Sequence, residues 1–300
     1  MAHHTRPPPC PPRASQALAR PLESCASPPL ARHRRPPPMS NPQFSTITYE
    51  QDGGVAVITL NRPEKMNALS RELMEDLQNG LRHALDGGQT RAILLTANGR
   101  GFCAGADLSA ARGEGADIDA GMRDYFNPTL QFVAECPLPL VVAVNGAAAG
   151  AGSSLALLGD IVIAGESAYF QQAFANIGLV PDTGASWLLT HTLGPVRANA
   201  LMMLGDKLPA KQAAEWGLVL RAVPDAELQT EARALAQRLA SRATVALSLI
   251  KRLTRMAANN SLRDQMLLEM EFQRTARFTE DSKEARQAFL DKRPAQFKGR

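Results

Sequence analysis

Two glycine-containing stretches, Gly101-Phe-Cys-Ala-Gly-Ala-Asp107 and Asn145-Gly-Ala-Ala-Ala-Gly-Ala-Gly152, each follow an apolar run that reads as a strand. Small residues let a ligand approach the backbone, and a loop entering a helix leaves N–H donors without intrahelical partners. Two such loops side by side could direct two N–H groups at one oxygen, which is what stabilising a developing oxyanion requires. Close packing of a helix on a sheet explains the same glycines and is the commoner cause of any single loop of this kind. Neither stretch is a Walker loop, since no Gly-Lys-Ser/Thr follows, and Gly146-x3-Gly150-x-Gly152 is not the spacing of a dinucleotide fingerprint. Cys103 is of a type that serves as a nucleophile, but no histidine is near it in sequence, and it reads as a small buried filler. Asp182, in Val180-Pro-Asp-Thr-Gly184, is placed to cap a helix beginning near Thr183.

Strands and helices must hold those loops. Val55–Leu60, after the turn at Asp52-Gly53-Gly54, reads as a strand, and Ala92–Thr96, Pro139–Val144 and Asp160–Ala164 are continuous apolar runs of the kind that buried parallel sheets use. Ser70 is positioned to cap a helix on which Leu69, Leu73, Leu77, Leu81 and Leu85 form one stripe. A further helix is expected around residues 118–135, and Ala147–Ser154 reads as a loop feeding a helix through Leu158. Alternating strands and helices imply an α/β core. Beyond residue 182 only helical patterns are visible, with Gly194, Gly205 and Gly217 as stops.

The net charge of +4 is unevenly placed. Residues 1–40 carry six arginines and one acid, so they hold +5 and leave the remainder at −1, which removes the argument for a nucleic-acid-binding face. The same segment holds eleven of the 21 prolines. It reads as a disordered tail with no signal-peptide core, and Met39 is the expected initiator. No window approaches the uninterrupted apolar length of a membrane-spanning helix. Beyond residue 40 only Cys103, Cys136, His83 and His191 remain of their types, which suits a reducing cytoplasm and leaves no basis for a multi-histidine metal site.

Five segments, in order, resemble the enoyl-CoA hydratase/isomerase (crotonase) superfamily: Asn61–Ser70, Gly101–Leu108, Ala143–Gly146, Leu179–Asp182 and Ala288–Phe297. The resemblance runs from about residue 44 to the end. It implies a crotonase-like spiral of ββα units over 41–235 and a helical C-terminal trimerisation region over 236–300, with trimers that can pair into hexamers. It further implies an acyl-CoA thioester as substrate, with coenzyme A entering as part of that ester rather than as a resident cofactor. By position, the N–H groups of Ala104 and Ala151 would hold the thioester oxygen and stabilise the enolate formed when the α-proton leaves.

Hydratases of this family use two glutamates, and the matching positions here are Ser154 and Phe174. A phenylalanine cannot carry a proton, and a serine without a base partner is a poor general base. Asp182 stands where hydratases usually have glycine, so the resemblance offers it as a single base moving a proton between Cα and Cγ, beside its reading as a cap. Ala173–Gly184, with Asn145–Gly152 and Lys292–Gly299, most resembles the branch of 2-(1,2-epoxy-1,2-dihydrophenyl)acetyl-CoA isomerases of phenylacetate breakdown, and that resemblance implies that Asp124–Asn127 border the acyl pocket.

For the coenzyme, the resemblance places the adenine near Ala68 and the backbone of Ala106, Asp107 and Leu108. Arg62 and Lys65 would face the phosphates, and Phe289 and Lys292 would reach in from a neighbouring subunit. Solvated surface charge is the alternative for these basic residues, above all Lys65. Asp107 and Asp160 also read as structural carboxylates, and Trp187 and Trp216 as core or interface aromatics. Against the isomerase stand two other readings, a hydratase using another acid and a catalytically silent acyl-CoA-binding trimer.

Overall fold

The apolar runs become the central strands because they are buried on both faces. Val55–Leu60 (β2), Ala92–Ala97 (β3), Leu140–Val144 (β5) and Ile161–Gly165 (β7) lie side by side in parallel. They belong to a six-stranded sheet that begins at Ile47–Asp52 (β1), antiparallel to β2, and ends at Arg221–Val223 (β10). A second sheet of four three-residue strands stands beside it: Gly101–Cys103 (β4), Ala147–Ala149 (β6), Tyr169–Gln171 (β8) and Lys207–Pro209 (β9). The chain therefore steps repeatedly from a long strand in the first sheet to a short strand in the second, then into a helix. These are the expected ββα units. The coordinates form a computed structural model that describes residues 43–107 and 119–300. The N-terminal tail with Met39, and residues 108–118 with Leu108, lie outside the described residues.

Helix Arg71–Asp86 (α1) starts as its sequence dictates, with Ser70 Oγ accepting from the Leu73 N–H at 3.2 Å. Leu73, Leu77 and Leu81 are buried in the main core, joined by Met74 and Ala84. The helix expected around 118–135 appears as a π-helical turn, Met122–Phe126, running into Asn127–Glu135 (α2). Ala151–Leu157 (α3) follows β6 directly. Ala185–Leu204 (α4) is broken at Gly194 (φ 72°), where Pro195 removes a donor, and it ends at Gly205 in the left-handed region.

Two short strands interrupt the region where only helices are expected. β9 extends the small sheet before Ala210–Glu215 (α5), and β10 closes the large sheet before Leu228–Ala240 (α6). Three residues are too few to show an alternation, so neither strand leaves a sequence signal. Helix α6 packs Leu228, Ala232, Ala236 and Ala240 on the outer face of the large sheet. The boundary drawn at residue 235 thus falls inside a core helix. The C-terminal helices are Thr244–Ala257 (α7), Leu262–Arg277 (α8) and Glu280–Leu290 (α9). Among the described residues no helix is long and apolar enough to cross a membrane.

Candidate active site

The two glycine loops lie against each other because β4 and β6 pair in parallel, Gly101 opposite Ala147 and Cys103 opposite Ala148. Glycines make the contact possible. A Cβ on Gly105 would sit 3.0 Å from the Ala149 carbonyl oxygen and 3.7 Å from the Ala151 nitrogen. A Cβ on Gly152 would sit 2.7 Å from both Cβ and Sγ of Cys103. Gly150 holds φ 51° and ψ −126°, a combination open to glycine, and so turns the chain from β6 into α3. Close packing and ligand approach are therefore the same feature here: the packing glycines bring two backbone segments together.

Ala151 is the first residue of α3, and the opening N–H groups of a helix have no intrahelical acceptor. Its expected role as a donor is compatible with that position. Ala104 is not available in the same way. Met66 and Asn67 take left-handed φ values of 51° and 53°, and the Met66 carbonyl accepts the Ala104 N–H at 3.0 Å. The placement of a donor at Ala104 is corrected by that bond. Two residues on, Ala106 pairs with Leu69 in a parallel bridge through its neighbours: Leu69 N–H donates to Gly105 O at 2.7 Å and Asp107 N–H to Leu69 O at 2.9 Å. In such a bridge the central residue directs its own N–H to the opposite side. Among the described residues the Ala106 N–H has no backbone acceptor.

Asp182 is not the cap of α4. The cap position is Gly184, at φ 82° and without a side-chain bond, and the Asp182 main-chain carbonyl accepts from Ala185 N–H at 2.9 Å. The carboxylate is left for other work. Thr183 Oγ1 lies 3.2 Å from Asp182 Oδ1 and 3.0 Å from Ser154 Oγ. Ser154 is one helical turn beyond Ala151, on the same face of α3. Asp182 is thereby tied to the helix that carries one of the candidate donors. Burial pushes its pKa up, and the Thr183 hydroxyl partly offsets this by hydrogen bonding to the ionised form. Phe174 also borders the site, since a Cβ on Gly150 would meet its ring at 3.4 Å.

The expected coenzyme residues divide. Arg62 donates from Nη1 to Ala68 O at 2.7 Å and pairs through Nη2 with Asp107 at 3.2 Å. It joins the two stretches expected at the adenine and so braces them against each other. Lys65 is exposed on the short turn Pro63–Lys65. Asn67, which the sequence reading passed over, is fully buried and knots the loop: it donates to Asn98 O and Gly101 O, both at 2.9 Å, and accepts from Arg62 N–H at 2.7 Å. Phe289 is 83% exposed near the end of α9, with Lys292 just beyond it at φ 53°. Within one chain neither is brought to the loops by any described contact.

Other singled-out residues have structural work. Cys103 is fully buried and its thiol is pushed up to about 12 by burial, which suits a filler and not a nucleophile. Asp160 accepts from Leu140 N–H at 2.9 Å and pairs with Lys251 at 2.8 Å and Arg255 at 3.3 Å. Trp187 stacks on His191, and Trp216 lies under Arg197. Tyr125, in the segment expected at the acyl pocket, lies under Arg71.

Comparison with known proteins agrees with this geometry. The sequence model of "Enoyl-CoA hydratase/isomerase" matches residues 50–300. A Rhodobacter capsulatus protein named "Probable enoyl-CoA hydratase" is 44% identical over 86% of this chain and 99% of its own length. The "1,2-epoxyphenylacetyl-CoA isomerase" of Escherichia coli K12 is 43% identical over 85% of this chain and 98% of its own. The crystal structure of enoyl-CoA hydratase from Bacillus anthracis superposes with a TM-score of 0.81 at 32% identity, covering 85% of this chain and 100% of that one. With a family match across most of its length, a crotonase-like fold and two backbone loops of the expected kind, the chain belongs to the enoyl-CoA hydratase/isomerase family.

Proposed function

We propose that the protein is an acyl-CoA isomerase with Asp182 as its one base. The observation that carries this reading is the makeup of the site. Where the family's hydratases hold two glutamates this chain has Ser154 and Phe174, while a carboxylate with a raised pKa, Asp182, is tethered to α3. The N–H groups of Ala106 and Ala151 take the thioester oxygen. Asp182 removes a proton from Cα of a 3-enoyl-CoA, the electron pair moves into the carbonyl as an enolate, and the same carboxyl returns the proton at Cγ to give the 2-enoyl-CoA. The reaction is balanced without water, and as drawn it uses no metal ion or redox cofactor. The relative from E. coli extends the reading to a ring-epoxide phenylacetyl-CoA, and so to phenylacetate catabolism.

Ala68, Ala106, Asp107 and Leu108 would receive the adenine, with Arg62 bracing them. Phe289 and Lys292 would complete the coenzyme site of a neighbouring subunit in a trimer or hexamer. Met266, Met270, Phe278, Phe289 and Leu290 are all exposed on and around α8 and α9, which supports an assembly through these helices. Among the described residues Cys103 and Cys136 are buried and unpaired, which suits a cytoplasmic protein. Hydration is the second reading, favoured by the name of the Rhodobacter relative. Ultraviolet absorbance of the conjugated 2-enoyl thioester, read together with product masses, from a 3-enoyl-CoA and a 2-enoyl-CoA separates them. The isomerase is expected to convert the first with no change of mass and to add little water to the second, and efficient water addition would overturn the proposal.

A further inference from the structure

We infer that Thr183 is a positioning residue whose hydroxyl, itself held by Ser154, orients the Asp182 carboxylate and keeps it ionised for proton abstraction. This rests on the reading of Asp182 as the base. The geometry fixes the direction of the chain of bonds. Thr183 Oγ1 has two neighbours, Ser154 Oγ at 3.0 Å and Asp182 Oδ1 at 3.2 Å, and only one proton to give. A carboxylate only accepts, so the Thr183 proton goes to Asp182 and the Ser154 hydroxyl donates to Thr183. Ser154 is completely buried on α3 and reaches no base of its own, which accounts for a serine at this position: it anchors the next hydroxyl.

The backbone supplies a second, independent sign. Thr183 sits at φ 53°, a conformation that a β-branched residue rarely takes, and Gly184 follows at φ 82°. Such strain persists where the surroundings over-determine it. Here the surroundings are the bond to Ser154, the burial of the Thr183 side chain and the Asp182–Ala185 turn. Glycine would take this φ freely but would lose the hydroxyl. Few charges compete for control of the carboxylate. Helix α3 carries none, and the first titratable group of α4 is His191, bonded to the Trp187 carbonyl. Across a cavity of about 650 Å³ behind Thr183 and Gly184 stand Asp160, Lys251 and Arg255, with Asp160 pairing with both cations.

The test is the pH profile of kcat/KM for 3-enoyl-CoA isomerisation by wild type, Thr183→Val, Thr183→Gly and Thr183→Ser, with thermal unfolding to confirm folding. A base acts when ionised, so activity rises with pH through its pKa. Loss of a bond to the ionised form raises that pKa. The Val and Gly variants are expected to move the acid limb to higher pH and to lower kcat, whereas Thr183→Ser keeps the wild-type limb. Thr183→Gly guards against misfolding, because it also relieves the left-handed strain. A purely structural threonine would change the melting temperature and leave the limb in place. Folded Val and Gly variants with an unmoved limb would overturn the role of Thr183. Asp182→Asn in parallel separates the two failures: an inactive Asp182→Asn with an unmoved Thr183→Gly limb rejects Thr183 alone, and a fully active Asp182→Asn rejects the base and Thr183 with it.

Discussion

Replacing Gly152 by alanine tests whether the two loops must touch for the site to work. The new Cβ would stand 2.7 Å from Cβ and Sγ of Cys103, with the Cys103 carbonyl oxygen closer still. Carbon atoms prefer about 3.5–4.0 Å, so α3 must retreat by about 1 Å. Overpacking of this kind costs about 1–3 kcal/mol, and the strain falls on backbone, which yields little. The same retreat carries the Ala151 N–H away from the position proposed for the thioester oxygen. Losing one oxyanion donor costs about 10²–10³ in kcat. The expected result is a folded protein with a lowered melting temperature and a loss of isomerase turnover far greater than its loss of stability. Cys103→Ala does not rescue it, because the nearest obstacle is a carbonyl. Gly87→Ala is the control: its φ is −64° and the nearest atom is 3.5 Å away, so both properties should hold. Gly152→Ala with wild-type turnover would refute the contact as a determinant of the site.

Three further outcomes follow from burial. Burial raises the Asp182 pKa above its unfolded value, so its contribution to stability is full below the unfolded pKa and is lost as pH rises through the folded one. Asp182→Asn should therefore melt no lower than wild type at neutral pH, with any advantage vanishing toward about pH 4, and a lower melting temperature at neutral pH contradicts this. Gln172 is buried with both amide atoms unpartnered, so Gln172→Met should raise stability by about 1 kcal/mol in chemical denaturation, unless the amide serves a ligand and activity falls instead. Cys103, with its thiol pushed up to about 12, should resist alkylation at neutral pH until the protein unfolds, as read by mass spectrometry.

Much of the fold is legible because the large sheet is buried on both faces. Val55–Leu60, Ala92–Ala97, Leu140–Val144 and Ile161–Gly165 are apolar runs with few other uses, and Ser70 marks its helix by type and spacing. The short strands β9 and β10 are invisible because three residues carry no period. The site is legible as a pair of loops but not as a pair of donors. Ala104 and Ala106 are the same residue type, and only the left-handed turn at Met66 and Asn67 shows which N–H is occupied. The Asp-Thr-Gly sequence reads as a cap because capping is a local rule. The left-handed pair Thr183–Gly184 breaks that rule and frees the carboxylate, and the Thr183 side chain is bonded to a residue distant in sequence, Ser154.

The central claim is that one carboxylate does the proton transfer. The direct measurement is single-turnover isomerisation of a 3-enoyl-CoA by wild type and Asp182→Asn, with the affinity for the product ester measured alongside. The account predicts that the rate falls by about 10²-fold or more while affinity is nearly unchanged, because a general base acts in the transition state and not in binding. A variant that isomerises within a few-fold of wild type would contradict it.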